Sequence, residues 1–420
     1  MPADALHIGL DLGTSGARAV AVDGTRRIVA SCKAAMADFG ANHRDPHIWW
    51  QSAMAALKGA LAGIDPSRIV SLAVDGTSGT MVAVGADGTP LADGSMYNDE
   101  CRDGNVLAAI TRHAPETSAA RGATSGLARA LVFQRLGPAA ILHQADWIAL
   151  WLCGRRVSDC NNALKTGFDP IAGHWPPWID ATGFNIGLLP EVVEPGAPIG
   201  RITAAASTAT GLPEGALLVA GTTDGCASFL ATGASQVGDG VSALGSTLTL
   251  KILSDRPISS PVHGIYSHRI LGKWLAGGAS NSGGAALLAH FTAAQIAELT
   301  PLIDAETDTG LDYYPLPGTG ERFPIADSAY APRLTPRPDR PDDFLKGLFE
   351  GIATIERLGY ATLADLGAPA LRTLRSVGGG AANPVWTRIR ARRLGVPMLE
   401  PLSGEAAFGT ALLAIAGAAT

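Results

Sequence analysis

Charge is scarce in this 420-residue sequence. Charged residues make up 17% of the chain against a usual share of about 25%, whereas hydrophobic residues make up 47%. The formal net charge is −6, so the sequence lacks the basic excess that binding to nucleic acid or to an anionic membrane surface requires. We therefore expect a globular protein that acts on small molecules, with no nucleic-acid partner and no membrane partner.

Cysteine and long apolar runs are scarce as well. The five cysteines form no C-x-x-C pair, and no basic-then-apolar signal segment precedes them. The longest apolar stretch, residues 408–419, is shorter than the roughly 20 residues that a membrane-spanning helix needs. The sequence thus predicts reduced thiols, no transmembrane span and a cytoplasmic location.

Glycine, in contrast, is abundant. The 51 glycines indicate many tight turns and close backbone approaches. The chain is also longer than the roughly 250–300 residues at which a single hydrophobic core usually stops growing. We therefore expect two domains, with the boundary near residue 231.

The pattern of apolar residues predicts an α/β protein with an internal duplication. Residues 6–22 read as strand, glycine turn and strand, and residues 241–253 repeat that pattern. Further elements are predicted as follows: helix 48–62, strand 69–74, a mainly helical region 105–152, strand 217–220, helix 226–231, irregular chain 313–341, helix 344–359 and strand 371–377.

The first glycine turn carries small and hydroxyl-bearing residues. After Asp11 come Gly13, Thr14 and Ser15, whose backbone N–H groups and hydroxyls suit the binding of phosphate oxygens. The turn matches neither common nucleotide motif and lacks a lysine, so a divalent ion near Asp11 would have to neutralise the phosphate charge. An ordinary hairpin turn, in which the Asp bonds its own turn, explains the same residues.

Asp224 is the candidate general base. It follows a predicted buried strand and opens a glycine-containing loop at a predicted helix start, a position from which a carboxylate can reach a substrate hydroxyl. The alternative is a helix N-cap, a role that Asp fills well.

A third motif follows the strand at 371–377. The glycines at 378–380 leave bare backbone on which a flat ring can lie, and Asn383 and Trp386 can border it. This outlines an adenine pocket. Asn383 followed by Pro384 is equally a helix start, and Trp386 can pack inward.

Taken together, these motifs resemble those of the FGGY carbohydrate kinases, within the actin-like ATPase superfamily, over essentially the whole chain. The matching stretches are Gly9–Ser15, Asp159–Asp169 with Asn162 and Thr166-Gly167, Gly221–Asp224, Gly277–Ala279, Gly378–Asn383 and Gly404–Gly409.

The resemblance implies an α/β fold with two actin-like, ribonuclease H-like ATPase domains around a central cleft. Domains at 1–231 (sugar and phosphate side) and 232–404 (adenosine side) would be followed by a terminal helix at 405–420 that returns to the first domain. ATP and Mg²⁺ would be the cofactors. Asp224 would be the catalytic base, and Asp11 would lie by the metal and the substrate. The implied nucleotide contacts are Gly13, Thr14, Ser15, Gly245, Ser246, Gly379, Gly380, Asn383 and Trp386.

The identity of the sugar rests on fewer residues. Glycerol kinases of this family carry Gln-Arg-Glu after the third strand and xylulose kinases Gln-Met-His-Gly, whereas this chain has Gly76-Thr77-Ser78-Gly79. Together with residues 11–18 and 355–360, this loop looks most like that of the compact D-ribulose kinases of cyanobacteria and plants. The implied substrate is a pentulose. Candidate sugar contacts are Asp11, Asp75, Thr77, Ser78, Asp99 and Asp224, of which Asp75, Thr77, Ser78 and Asp99 could equally be turn residues.

Three alternative interpretations stand beside this one. Another sugar or polyol kinase, such as a xylulose kinase, would share all the motifs. A non-catalytic actin-like ATPase scaffold would bind nucleotide without phosphorylating a sugar, but it would be expected to carry a further partner-binding module, whereas this chain ends after its second half. Retention of both Asp11 and Asp224 counts against a sugar-binding protein that has lost activity. A homodimer is left open.

Overall fold

The chain forms two compact units, which the computed structural model describes over residues 4–419. The first unit comprises residues 4–231, 268–272 and 405–419, and the second comprises residues 232–267 and 273–404. The assignment of functions to domains at 1–231, 232–404 and 405–420 stays a prediction. No helix among the described residues is both long and apolar enough to cross a membrane.

The first unit is built on a six-stranded sheet. Its strands, in spatial order, are β3 (Ile28–Ala35), β2 (Gly16–Asp23), β1 (Leu6–Leu12), β4 (Ile69–Gly76), β10 (Leu217–Val219) and β9 (Pro198–Arg201). Strand β1 runs antiparallel to β2 and parallel to β4, and β4 runs parallel to β10. The ends of these parallel strands therefore place residues 11, 75 and 224 at one edge of the sheet.

Helices and short strands surround this sheet. The remaining strands of the unit are β5 (Met81–Val84), β6 (Ala140–His143), β7 (Val157–Asp159), β8 (Glu191–Val193) and β13 (His268–Ile270). The helices are α1 (Pro46–Leu61), α2 (Gly104–His113), α3 (Gly126–Gln134), α4 (Gln144–Cys153), α5 (Cys160–Leu164), α6 (Trp178–Ala181), α7 (Ala204–Thr210), α8 (Asp224–Ala231) and α13 (Ala406–Ala418). Helix α1 begins two residues before the predicted start at 48, because Asp45 caps it through the N–H of His47 and Pro46 occupies its first turn.

The second unit repeats the strand order of the first. Its sheet contains, in spatial order, β14 (Lys273–Ser280), β12 (Leu248–Ser254), β11 (Asp239–Leu244), β15 (Thr373–Val377) and β16 (Met398–Leu399). The helices are α9 (Gly284–Leu288), α10 (Ala293–Leu299), α11 (Pro341–Asp365) and α12 (Pro384–Leu394). Strand β11 is antiparallel to β12 and parallel to β15, as β1 is to β2 and β4. The predicted duplication is thereby confirmed.

The other element predictions hold in part. The helix at 344–359 is confirmed and extends further in both directions, and residues 313–341 are irregular as predicted. The region 105–152 is less helical than predicted, because it contains strand β6 and a non-helical stretch at 114–125. Strand β6 was missed because it is only four residues long and runs directly into α4, so its apolar residues merge with those of the helix.

Candidate active site

Three carboxyl groups of the first unit, Asp11, Asp75 and Asp224, influence one another electrostatically; we call them the carboxyl cluster. Asp11 and Asp75 are paired in the register of the parallel strands β1 and β4. Asp224 is the first residue of α8, and the residue before it, Thr223, forms an isolated parallel bridge with Gly76. Strand ends thus bring together three residues of which the first and the last, Asp11 and Asp224, are more than 200 positions apart in the sequence.

Burial and mutual repulsion shape the charges of this cluster. Burial raises the pKa of Asp11, and the negative charge of Asp224 raises it further, while a hydrogen bond with Asp75 and the cation of Arg18 oppose the rise. The pKa of Asp75 is raised more strongly, first by complete burial and then by the charge of Asp11. Burial therefore favours the protonated form of Asp75 more strongly than that of Asp11.

Asp75 is enclosed by protein. Its side chain has no exposed surface, and Oδ2 accepts a hydrogen bond from the hydroxyl of Thr410 on α13. Oδ1 has no hydrogen-bond partner in the described part of the chain, and the carboxyl of Asp11 is its charged neighbour. The expected contact of Asp75 with the sugar stays a prediction.

Asp224, in contrast, is half-buried and starts α8 without capping it. Its Oδ1 accepts the N–H of the adjacent Gly225 at 2.7 Å, and the N–H of Cys226 goes to the carbonyl of Thr223 instead. The N-cap alternative for Asp224 is thus not what the structure shows, since the residue already lies within the first turn. Its assignment as the general base stays a prediction.

The side chain of Thr77 is also fully engaged. Its hydroxyl donates to Oε1 of Gln144 at 3.1 Å and lies 2.6 Å from the hydroxyl of Thr80, which in turn accepts the N–H of Tyr97 at 3.2 Å. Only 4% of the residue is exposed, and a direct sugar contact by Thr77 stays a prediction. Ser78 is half-buried and stays a candidate.

Asp99 is not a free hydrogen-bond acceptor, because it forms an ion pair with Arg44. Both of its oxygens accept from the guanidinium of Arg44, at 2.7 Å for Nη2, and the hydroxyl of Ser95 and the N–H of Met96 also donate to it. These bonds lower the pKa of Asp99, with the hydrogen bond from Arg44 as the largest cause. Asp99 borders a cavity of about 730 Å³ that Arg129 and Arg135 also line. Its contact with a sugar stays a prediction.

The two predicted phosphate turns have similar geometry in the two units. Thr14 and Ser15 are exposed at the β1–β2 turn, which the N–H of Gly13 closes on the carbonyl of Gly16 at 3.0 Å. In the second unit, the N–H of Gly245 donates to the carbonyl of Thr247 at 3.2 Å, and Gly245 and Ser246 are exposed. Both turns leave small residues accessible, as phosphate binding requires.

The predicted adenosine residues divide into exposed backbone and packed side chains. A Cβ atom at Gly379 would meet nothing within 4 Å, so its backbone is bare. Asn383 caps α12 by accepting the N–H groups of Val385 and Trp386. Trp386 is 2% exposed and stacks on Phe349 with the ring centroids 5.0 Å apart. Both side chains make the contacts that the structural alternative predicts, and a contact between Trp386 and adenosine stays a prediction.

Trp386 still contacts the glycine segment. A Cβ atom at Gly380 would lie 2.6 Å from Cζ3 of Trp386, so the indole packs directly against that glycine. Whether Gly379, Gly380 and Asn383 border a nucleotide stays a prediction.

Several residues around the site could not be found from sequence motifs. Gln144, Arg44 and Thr410 each bond a predicted site residue but belong to no motif, and Arg18, which faces Asp11, lies in the stretch 11–18 without having been identified as a site residue. A single polar residue, Thr410, on the buried face of the otherwise apolar α13 is the one signal that the sequence offers.

Comparison with known proteins agrees with this geometry. Residues 240–418 match the family model of the FGGY family of carbohydrate kinases, C-terminal domain. A ribulokinase of Mycolicibacterium smegmatis is 32% identical over 234 residues, which is 47% of this chain and 40% of that protein. An autoinducer-2 kinase of Yersinia enterocolitica is 27% identical over 301 residues, which is 65% of this chain and 56% of that protein. The matches thus span about half the length of these curated relatives.

Solved structures are similar over nearly the whole chain. A xylulose kinase from Rhodospirillum rubrum superposes with a TM-score of 0.82 at 25% identity, covering 97% of this chain and 89% of that one. A "xyloylose kinase" from Brucella ovis gives a TM-score of 0.83 at 22% identity, covering 99% and 90%. The chain therefore has the two-domain actin-like fold, and its residues 240–418 are similar to the C-terminal domain of the FGGY family of carbohydrate kinases.

Proposed function

We propose that this chain is an ATP-dependent kinase that transfers the γ-phosphoryl group of ATP to a hydroxyl group of a sugar. The family match at 240–418 supports the reaction class. The observation that carries the proposal for this chain is the carboxyl cluster, in which one half-buried carboxylate, Asp224, starts a helix beside the buried pair Asp11 and Asp75.

In this proposal each carboxylate has a separate task. Asp224 accepts the proton of the attacking hydroxyl, and Asp11 holds water around the Mg²⁺ that accompanies ATP. ATP with Mg²⁺, when bound, supplies the phosphoryl group and neutralises its charge. Thr14 and Ser15 on the first unit, and Gly245 and Ser246 on the second, bind phosphate oxygens through exposed N–H and hydroxyl groups.

The residues present fit these cofactors. Gly379 offers bare backbone on which a purine can lie, and two small-residue turns are exposed. Among the described residues, no three His, Cys, Asp or Glu side chains are arranged to hold a metal by themselves.

For the substrate we propose a pentulose, with D-ribulose as the first choice. The 76–79 loop and the relative named ribulokinase support this choice. Two alternatives are favoured by specific similarities: D-xylulose by the structures named xylulose kinase, and autoinducer-2 by the relatives of that name. The cytoplasmic location stays a prediction.

The test is a coupled assay of ADP release with Mg-ATP against D-ribulose, L-ribulose, D-xylulose, autoinducer-2 and glycerol, with a no-sugar control. We expect turnover that depends on D-ribulose. Preference for another sugar would keep the reaction class and discard the pentulose choice. ADP release that no sugar stimulates would instead indicate an ATPase scaffold.

The same assay tests Asp224. Asp224→Asn keeps the size of the side chain but removes the proton acceptor, so we expect turnover to fall by at least about 10²-fold with an unchanged melting temperature. Asp87→Asn, at an exposed turn residue outside the site, is the matched control and should keep full activity. Near-normal turnover of Asp224→Asn would rule Asp224 out as the base.

A further inference from the structure

Asp11 lies in the sheet between a basic and an acidic side chain. In the strand register, Arg18 on β2 is its partner on one side and Asp75 on β4 is its partner on the other. Residues paired in this way project from the same face of a sheet. A cation and a buried carboxyl therefore flank the Asp11 carboxylate, and both affect its pKa.

Helix α13 packs on this face of the sheet, with its backbone very close to strand β1. Gly9 lies two residues before Asp11 on β1 and so points to the same face; a Cβ atom there would be 1.9 Å from the carbonyl oxygen of Ala407. Val20, two residues beyond Arg18, packs in one hydrophobic cluster with Phe408. Glycine at position 9 allows the helix backbone to approach the strand that carries Asp11.

From this position α13 reaches both neighbours of Asp11. The hydroxyl of Thr410 donates to Oδ2 of Asp75, and the carbonyl of Ala406 is its more distant alternative acceptor at 3.2 Å. One and a half turns earlier, at the N-cap of the helix, Glu405 forms an ion pair with Arg18. One helix thus holds the carboxyl on one side of Asp11 and the guanidinium on the other.

We propose that Thr410 and Glu405 are positioning residues, which fix the Asp11 carboxylate through Asp75 and Arg18. The inference rests on the proposed kinase function. Phosphoryl transfer depends almost entirely on the placement of charges around the transferred group, so a small displacement of Asp11 should lower turnover. Neither Thr410 nor Glu405 touches the reacting atoms in this scheme; each acts through its partner.

A purely structural role must be separated from this one, and the chain offers a matched control. Ser71, four residues before Asp75 on β4, donates to the carbonyl of Ala414, four residues after Thr410, at 2.8 Å. Both hydroxyls are buried and both join α13 to β4. Ser71 is further from Asp11 and bonds His7, which is outside the site.

The experiment compares Thr410→Val, Thr410→Ser and Ser71→Ala with the wild type in the sugar-dependent ADP-release assay, with melting temperatures measured in parallel. We expect Thr410→Val to lower kcat by about 10-fold or more without changing KM for ATP. Thr410→Ser, which keeps the hydroxyl, should have a kcat close to that of the wild type. Ser71→Ala should lower the melting temperature and leave kcat unchanged.

The outcomes separate the inference from the proposed function. Wild-type kcat in Thr410→Val, or an equal loss of kcat in Thr410→Val and Ser71→Ala, would overturn the positioning role while the kinase assignment stood. If Thr410→Val fails to fold, kcat is measured for Glu405→Gln instead. This substitution weakens the ion pair with Arg18 at the exposed end of the helix. A wild-type protein that phosphorylates no sugar would overturn the function, and the inference with it.

Discussion

At the residue scale, burial distinguishes carboxyl groups that look alike in the sequence. Asp75 has no exposed surface and a strongly raised pKa, whereas Asp224 is half-buried and does not cap its helix. Sequence reasoning could place Asp11 and Asp224 at strand ends because the apolar runs before them are clear. It could not reveal that Thr410 bonds Asp75, because the two are 335 residues apart and no local pattern links them.

Asp159 makes a residue-scale prediction about pH. Burial, and then the charge of Asp146, raise the pKa of Asp159 to about 7. The folded chain therefore keeps a proton that an unfolded Asp, with a pKa of about 3.9, has lost, so stability should fall as the pH rises from about 4 to 7. We expect Asp159→Asn to flatten part of this decline in a series of melting temperatures from pH 5 to pH 8.

Asp103, which caps α2, serves as the control because its pKa is shifted in the opposite direction. The pKa of Asp103 is lowered, chiefly by its hydrogen bond with Arg135. Its contribution is therefore lost only as the pH falls through its low pKa, and Asp103→Asn should leave the slope between pH 5 and pH 8 unchanged. The same slope in Asp159→Asn and the wild type would show that Asp159 is already ionised at pH 5.

At the element scale, the second unit depends on how α11 and α12 pack. Glu356 on α11 and Arg390 on α12 are fully buried and form a bidentate ion pair, with both N–O distances at 2.7 Å. Tyr360 on α11 bonds Ser242 of β11. The segment 355–360, which helped to suggest a D-ribulose kinase, is therefore part of a domain core and says little about the sugar.

Breaking that ion pair should be costly. Glu356→Gln leaves the Arg390 cation buried without its counter-ion, so we expect the free energy of unfolding of the second unit to fall by about 3–5 kcal/mol. Urea denaturation measures this change. Arg357→Gln, at the next and exposed position of α11, is the control and should have little effect. A loss below about 1 kcal/mol in Glu356→Gln would mean that Arg390 finds other acceptors, such as Ser376.

The elements themselves were largely predictable where their patterns are long. The paired strands at 6–22 and 241–253, the capped helix α1 and the long helix α11 all follow from periodicity, capping residues and turn glycines. Short elements could not be predicted in this way. Strand β6 has only four residues and continues into a helix, so periodicity alone cannot separate the two.

At the scale of the whole molecule, the first unit is assembled from distant parts of the chain. Residues 405–419 pack on strands formed by residues 6–76, and the match to an FGGY C-terminal domain extends to residue 418. The resemblance predicted this return of the terminal helix. Its tight contact with β1 depends on glycine, because a side chain at position 9 would overlap the helix backbone.

Gly9→Ala tests that dependence. The added methyl group would lie 1.9 Å from the carbonyl oxygen of Ala407, so α13 must shift; we expect a loss of stability of about 1–3 kcal/mol or more. Gly24→Ala, at an exposed turn where a Cβ atom meets nothing within 4 Å, is the control. Equal melting temperatures for the two variants would show that α13 can move away without cost.

The position of α13 also sets an order of events during synthesis. Asp75 leaves the ribosome 335 residues before its partner Thr410, an interval of roughly twenty seconds to a minute at usual rates of translation. Throughout that time the face of the sheet around Asp11 has no helix to cover it and no hydroxyl to hold Asp75. The face of the sheet around Asp11 is therefore completed only after the whole second unit has been synthesised.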